Sequence, residues 1–212
     1  MAMSSLSGTG RGAAALAALA AWVGLAVQLN ASSILTGSMG AAAWVMLRYF
    51  TVITNLALAV IFTGVAFGRP AYGVPTLLGG VTLSILLVGV VYFLLLRGLV
   101  ELSGGARAAD VLLHQVTPIL GSLFWLACVP KGLLRSRDPW LWAAFPLAYL
   151  VYALVRGGLD GAYAYPFIDV AQLGWAQTGF NAAAIALSFI LAGHAIVWLD
   201  AWLAHRAGRV PS

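Results

Sequence analysis

Six stretches of the chain are long enough and apolar enough to cross a lipid bilayer as α-helices. A spanning helix needs about 20 apolar residues, because each residue advances the helix by only about 1.5 Å. The candidate spans cover residues 12–30, 42–67, 74–96, 109–129, 139–156 and 178–203. Segments rich in glycine and proline separate them. The sequence therefore predicts an all-α, polytopic membrane protein in which residues 1–212 form one six-helix transmembrane domain.

The composition supports this fold class. Hydrophobic residues make up 62% of the chain and charged residues only 8%, whereas a soluble domain has roughly 45–50% apolar and about 25% charged residues. A water-soluble fold of 212 residues could not bury so much apolar surface. The net charge of +5 is better explained by basic loops beside a membrane than by nucleic-acid binding. We therefore expect no nucleic-acid partner.

Motifs for metal and cofactor binding are missing from the sequence. The single cysteine, Cys128, excludes an internal disulfide and any metal site built from cysteines. There is no G-x-S-x-G, H-E-x-x-H or Walker-type sequence, so rhomboid-like and zinc-protease functions lack their motifs. We expect neither a metal nor a cofactor.

Basic residues predict the orientation of the bundle. The first apolar segment follows Arg11 as a secretory signal would, but its length favours an uncleaved helix. With the N-terminus inside, the cytoplasmic segments carry Arg11, Arg69, Lys131, Arg135, Arg137, Arg206 and Arg209. The outer segments carry Arg97, Arg107 and Arg156. Because positive residues collect on the cytoplasmic side, we expect both termini in the cytoplasm.

This orientation brings polar residues together near the outer surface. The second span carries three at spacings of three and four, which share one helix face: Arg48, Thr51 and Asn55. The fourth span carries a similar set: Asp110, His114 and Thr117. The outer loop between the last two spans adds Arg156, Asp160 and Asp169. Tyr163 and Tyr165 in that loop are interpreted as interfacial anchors.

These residue types would suffice for hydrolysis of an acyl ester. A threonine hydroxyl becomes a nucleophile when a neutral histidine accepts its proton, and Asp110 could hold the His114 imidazole in one tautomer. Arg48 or Asn55 could stabilise the oxyanion. Pro118 deprives the His114 carbonyl of its helical partner, which predicts a kink beside a pocket. Spacing alone fits a structural role equally well, with Thr51 and His114 as helix-packing residues.

The order of several motifs resembles the androgen-induced family of intramembrane threonine hydrolases, in its bacterial branch. The matching segments are Arg48–Asn55 (RYFTVITN), His114–Pro118 (HQVTP), Pro130–Gly132 (PKG) and Tyr165–Asp169 (YPFID). The animal members hydrolyse fatty acid esters of hydroxy fatty acids (FAHFA) with a threonine and a histidine. The resemblance implies Thr51 as nucleophile, His114 as base, a lipid substrate from the bilayer and a multi-pass location in the bacterial cytoplasmic (inner) membrane.

One departure from the family pattern leaves an alternative open. Animal members have two histidines three residues apart, whereas this chain has His114 followed by Thr117. An ungapped alignment therefore puts Thr117 at the second histidine position. The alternative function is that of a non-enzymatic integral membrane protein, either a subunit of a membrane complex or a small-molecule transporter. A transporter usually has polar groups at the membrane midplane, whereas these residues concentrate near one face.

Overall fold

The computed structural model describes residues 6–208, which form a helical bundle without β-strands. The helices of this part of the chain are α1 (Gly8–Thr36), α2 (Met39–Met46), α3 (Phe50–Ala66), α4 (Pro75–Leu96), α5 (Gly104–Cys128), α6 (Asp138–Asp160) and α7 (Val170–Arg206). Five of them are long and apolar enough to span a membrane, or six spans if α2 and α3 are taken together. The all-α fold class is confirmed, and the long apolar helices are consistent with a multi-pass membrane protein. Arg209 lies outside the described residues.

The long helices alternate in direction, so the bundle has two distinct ends. We call one the Thr51 end: there α3, α5 and α7 begin, and α1, α4 and α6 end. At this end the Tyr92 hydroxyl, on the last turn of α4, contacts the Asp110 carboxylate near the start of α5. At the opposite end, buried Asp200 on α7 accepts hydrogen bonds from the backbone N–H groups of Gly132 and Leu134.

Close packing between α1 and α3 fixes the position of the helix that bears Thr51. α1 buries a stripe of alanines: Ala14, Ala17, Ala18 and Ala21. Small side chains allow neighbouring helices to approach closely in a membrane, where packing is the main attractive force between them. On α3, Leu58 and Phe62 are completely buried. α3 therefore has little freedom to rotate relative to the rest of the bundle.

The continuous helix predicted over residues 42–67 is wrong, because the chain bends by 98° between α2 and α3. An uninterrupted helix would place the Arg48 charge among apolar neighbours, which is costly in a bilayer. The bend leaves the carbonyls of Leu47 and Arg48 outside any helix. Hydroxyl groups from α6 donate to them: Tyr152 to Leu47 at 3.0 Å and Tyr149 to Arg48 at 2.8 Å.

Other boundaries also differ from the sequence-based predictions, including that of α1, which covers Gly8–Thr36 instead of 12–30. The last span was predicted to begin at residue 178, but α7 begins at Val170 and contains a backbone break at Gly174 (φ 73°), a conformation that favours glycine. Arg156 and Asp160 were predicted in an outer loop, but they lie on the last turns of α6. Hydropathy marks only the apolar middle of a helix, and the hydrogen-bonded turns continue past it until a cap ends them.

Candidate active site

Thr51 and His114 meet across the interface between α3 and α5. Thr51 lies in the first turn of α3, and His114 lies in a π-helical segment of α5, Leu112–Val116. The Oγ1 atom of Thr51 is 3.2 Å from Nε2 of His114, which is hydrogen-bonding distance. Thr51 is only 7% exposed, so few water molecules can compete for this contact. The two residues proposed from sequence as nucleophile and base are therefore in direct contact.

Asp110 contacts the Nδ1 edge of the imidazole, and Tyr92 contacts both Asp110 and the ring. The His114 Nδ1 atom is 2.9 Å from the Asp110 Oδ1 atom, and the Tyr92 hydroxyl donates to Asp110 Oδ2 at 2.5 Å. The Tyr92 ring also stacks on the imidazole, with ring centroids 4.3 Å apart and an angle of 18° between planes. These contacts favour the tautomer with its proton on Nδ1. That tautomer leaves Nε2 free to accept the Thr51 hydroxyl proton.

Asn55 joins the two helices directly below this pair. Its side-chain amide donates to the Thr51 carbonyl at 2.9 Å and to the Leu113 carbonyl at 3.1 Å. The Thr117 hydroxyl donates to the Asn55 side-chain oxygen at 2.6 Å. The kink predicted at Pro118 stays a prediction, whereas a π-helical segment precedes this proline. The carbonyl that receives side-chain donors is that of Leu113, not that of His114 as predicted. Asn55 and Thr117 are both fully buried.

The hydrogen bonds of Thr117 and Asn55 indicate which roles these two residues can have in the site. The Thr117 hydroxyl contacts Asn55 and Leu113, whereas the residue opposite the Thr51 hydroxyl is His114. Both N–H groups of the Asn55 amide are donated to main-chain carbonyls, so Asn55 is not placed to stabilise an oxyanion. Its geometry is that of a brace that holds α3 and α5 in register.

Arg48, Arg156 and Asp160 form a second polar cluster at the Thr51 end. The Asp160 carboxylate lies 3.2 Å from the Arg48 guanidinium and 3.0 Å from that of Arg156. Arg156 also donates to the Trp44 carbonyl and stacks over the Trp44 ring. This cluster ties α2 and the bend to the end of α6. The three charged residues were predicted to share a polar layer with Thr51 as supporting or substrate-binding residues, and their observed contacts are with one another and with the bend.

Asp169 caps the N-terminus of α7. Its Oδ1 atom accepts hydrogen bonds from the backbone N–H groups of Ala171 at 3.0 Å and Gln172 at 3.2 Å, which satisfies donors that a helix start leaves free. The Gln172 side chain donates to the other carboxylate oxygen at 2.8 Å. The contacts of Asp169 are thus those of a helix cap.

Two cavities meet at Thr51. The first has a volume of about 910 Å³ and is lined by residues that include Thr51, Tyr92, Asp110 and His114. The second is narrow, about 90 Å³, and runs between α3, α4, α6 and α7 with almost entirely apolar walls. The residues that line both cavities are Thr51, Leu96 and Tyr165. Thr51 therefore belongs to the walls of both a wide cavity with polar groups and a narrow apolar one, and we call this shared stretch of wall the junction.

Tyr165 is a functional candidate that the sequence-based interpretation as a membrane anchor missed. It is only 8% exposed, and its hydroxyl oxygen accepts a weak hydrogen bond from the Thr51 N–H at 3.4 Å. Burial raises the pKa of the Tyr165 hydroxyl, so the group stays protonated and can donate a hydrogen bond. The adjacent Pro166, which begins a short 3₁₀ turn, was the available sequence signal that this segment is fixed in place.

Tyr92 was also missed, because nothing in its local sequence distinguishes it from other aromatic residues of the spans. It lies 18 residues before Asp110, and the two approach only because α4 and α5 are antiparallel neighbours.

Comparison with protein-family models, curated proteins and solved structures finds no match. The suggested membership of the threonine hydrolase family, and the roles of Thr51 and His114 that follow from it, stay predictions.

We predict that Asn55→Ala destabilises the bundle. The substitution removes the side-chain donor to the Thr51 and Leu113 carbonyls and one acceptor of the Thr117 hydroxyl, at a cost of about 1–3 kcal/mol for each group that stays unsatisfied. The Thr117 hydroxyl can still donate to the Leu113 carbonyl. The expected result is a clear fall in the midpoint of thermal unfolding in detergent. Asn30→Ala is the matched control, because Asn30 is an exposed asparagine on α1. Equal midpoints for the two variants would contradict the bracing role.

Proposed function

We propose that this protein is a membrane-embedded lipid ester hydrolase in which Thr51 is the nucleophile and His114 the general base. Its substrates would be long-chain acyl esters taken from the bilayer, such as fatty acid esters of hydroxy fatty acids. The observation that best supports the proposal is the 3.2 Å contact between the Thr51 hydroxyl and His114 Nε2 at the junction of two cavities. An ester bound across this junction would present its carbonyl carbon to Thr51.

In the acylation step, Thr51 Oγ1 attacks the ester carbonyl carbon while His114 Nε2 takes the hydroxyl proton. The tetrahedral intermediate collapses, the bond to the alkoxy oxygen breaks, and the imidazolium returns the proton to that oxygen. The products are an acyl-threonine and a free alcohol. Asp110 stabilises the imidazolium through its contact of 2.9 Å with Nδ1, and Tyr92 orients Asp110 through its hydroxyl.

In the deacylation step, water takes the place of the alcohol in the wider cavity. His114 Nε2 accepts a proton from this water, whose oxygen attacks the acyl carbon. Collapse of the second intermediate releases a carboxylic acid and restores the proton to Thr51 Oγ1. The narrow cavity has almost entirely apolar walls but a volume of only about 90 Å³, which is below the usual range for ligand sites, roughly 300–1,000 Å³. It would therefore take only the part of the acyl chain next to the ester, and the rest of the chain would extend into the bilayer.

Tyr165 is the side chain best placed to donate to the oxyanion. Its hydroxyl lies beside the Thr51 main chain, and Tyr165 lines both cavities. Because a buried, protonated hydroxyl offers a fixed donor in low-dielectric surroundings, it would stabilise the negative charge that develops on the carbonyl oxygen. The start of α3 adds the partial positive charge of a helix N-terminus at the same point.

The same proposal includes the location. The bias of basic residues supports an orientation with both termini in the cytoplasm and the Thr51 end at the outer face, and the resemblance to the bacterial branch of the family supports the inner membrane as the location. We predict that alkaline phosphatase is inactive when fused after Ser212 and active when inserted in the loop that contains Glu101. The reverse pattern would contradict this orientation, since the enzyme folds only outside the cytoplasm.

We predict that Thr51→Ala abolishes hydrolysis of a long-chain ester by the purified protein. A fluorophosphonate probe should label the parent protein covalently but not this variant, because the variant lacks the attacking oxygen. Thermal unfolding of both proteins shows whether the variant is folded. Full activity in a folded Thr51→Ala variant would contradict the assignment of the nucleophile.

Thr54→Ala is the matched control for this experiment. Thr54 lies on the same helix and is completely buried, but its hydroxyl has no hydrogen-bond partner among the described residues. Removing it should leave both activity and labelling close to the parent level. If neither variant loses labelling and the parent hydrolyses no ester, the results would favour the alternative function of a non-enzymatic subunit or transporter.

We predict that Tyr165→Phe lowers kcat by roughly 100- to 1,000-fold, which is the typical effect of removing one oxyanion donor. KM should change much less, because the hydrogen bond strengthens only as charge develops on the carbonyl oxygen. Steady-state hydrolysis kinetics would measure the split. Tyr163→Phe is the control, since Tyr163 lies in the same loop and lines neither cavity. Unchanged kcat in Tyr165→Phe would exclude Tyr165 as the donor.

A further inference from the structure

Two arginines line the wider cavity that contains Thr51 and His114. Arg97 follows the last turn of α4, and Arg107 lies in the first turn of α5, so both stand at the Thr51 end. Within residues 6–208, neither guanidinium lies within 4.0 Å of a carboxylate. Arg97 rests only over the ring of Phe93, with the guanidinium carbon 5.4 Å from the centroid. Both arginines are exposed, and neither of these two positive charges on the cavity wall has a carboxylate of the described residues in contact with it.

The other two arginines at this end, Arg48 and Arg156, each contact a carboxylate. Arg48 and Arg156 share the carboxylate of Asp160, at 3.2 Å and 3.0 Å. Their positive charge is balanced by contacts inside the protein, and neither residue lines the wider cavity. Two of the four arginines are thus compensated, and the two that are not face the same space.

In the part of the chain that the structure describes, acidic residues near this cavity do not contact either arginine. Asp110 is the acidic residue among its lining side chains, and both of its oxygens are already engaged by His114 and Tyr92. Glu101, in the loop between Arg97 and Arg107, is exposed and does not line the cavity. An anion that enters the cavity would therefore meet guanidinium groups that are free to bind it.

The rest of the wall is suited to a hydrocarbon chain. Apolar residues from several elements line it, including Met46, Val52, Leu102 and Leu113. Its volume of about 910 Å³ lies at the upper end of the usual range for small-molecule sites, roughly 300–1,000 Å³. Free phosphate would leave most of this space unfilled, whereas an amphiphile would fill it with its chain.

We propose that Arg97 and Arg107 form a binding site for the anionic group, carboxylate or phosphate, of an amphiphilic lipid that occupies the wider cavity. Guanidinium groups pair with carboxylates and phosphates through two parallel N–H donors, which gives them geometric as well as electrostatic selectivity. The inference rests on the proposed function in one respect: it makes the preferred ester one with a free acidic group on the side that leaves Thr51. Neutral esters of the same length would bind less tightly.

The experiment measures binding, so it does not require turnover. Isothermal titration in a neutral maltoside detergent compares dodecyl phosphate with dodecanol on the parent protein and on the double variant Arg97→Gln/Arg107→Gln. We expect the parent to bind dodecyl phosphate roughly 10- to 100-fold more tightly than the double variant does, the range for loss of a charge-assisted hydrogen bond. Dodecanol should bind both proteins equally.

Arg69→Gln is the matched control, because Arg69 is an exposed arginine at the opposite end of the bundle. Its affinity for dodecyl phosphate should equal that of the parent. Equal affinities of the parent and the double variant for dodecyl phosphate would overturn the proposal. An equal loss in Arg69→Gln would also overturn it, since the effect would then reflect overall charge.

Two further arms identify the ligand and the position of the site. Inorganic phosphate at the same concentration should not displace dodecyl phosphate, and complete displacement would overturn assignment to an amphiphile.

Thr51→Ala should retain the preference for dodecyl phosphate over dodecanol. If Thr51→Ala retains that preference while the parent hydrolyses no ester, the hydrolase proposal fails and the anion site stands. If the parent hydrolyses esters without any dependence on Arg97 and Arg107, the reverse holds.

Discussion

Backbone carbonyls in an apolar environment need hydrogen-bond donors, and the site depends on how this need is met at the bend between α2 and α3. A break in a spanning helix frees carbonyls that lipid cannot solvate, so such a break is tolerated only where other groups satisfy them. Here Tyr149 and Tyr152 of α6 supply donors to Arg48 and Leu47, and Arg156 supplies one to Trp44. The bend can therefore lie inside the bundle, and it makes Thr51 part of a helix start instead of a helix middle.

That position determines what Thr51 can do. In the middle of a helix, a threonine hydroxyl usually bonds to the carbonyl one turn earlier. At the start of α3 the preceding turn is absent, so the hydroxyl is available to His114. The π-helical segment of α5 has a related effect, because it exposes the Leu113 carbonyl to Asn55. Irregularities in two neighbouring helices thus bring the hydroxyl, the imidazole and the brace between them into contact.

Sequence reasoning recovered much of this site and missed specific parts of it. The spacing of Asp110 and His114 on one helix face was sufficient to predict their contact, because residues four apart in a helix are neighbours. The bend before Phe50 was missed, since hydropathy runs through it without a change. The contacts of Arg48 and Arg156 with Asp160 were missed as well, because they depend on the bend that hydropathy does not reveal. Tyr92 could not be found, because its significance comes from a residue on another helix, and the signal that Pro166 offered for Tyr165 did not show which residues Tyr165 contacts.

Length and hydropathy are local properties of each segment, so the order of amino acids alone establishes that the chain is helical and apolar enough to span a membrane several times. It also identifies the polar side chains that need partners. The packing of the helices establishes the rest: Thr51 faces His114, Asp160 contacts Arg48 and Arg156, and Arg97 and Arg107 line a cavity without a carboxylate of the described residues in contact. These outcomes depend on the rotation and depth of helices packed against each other, which no single segment encodes.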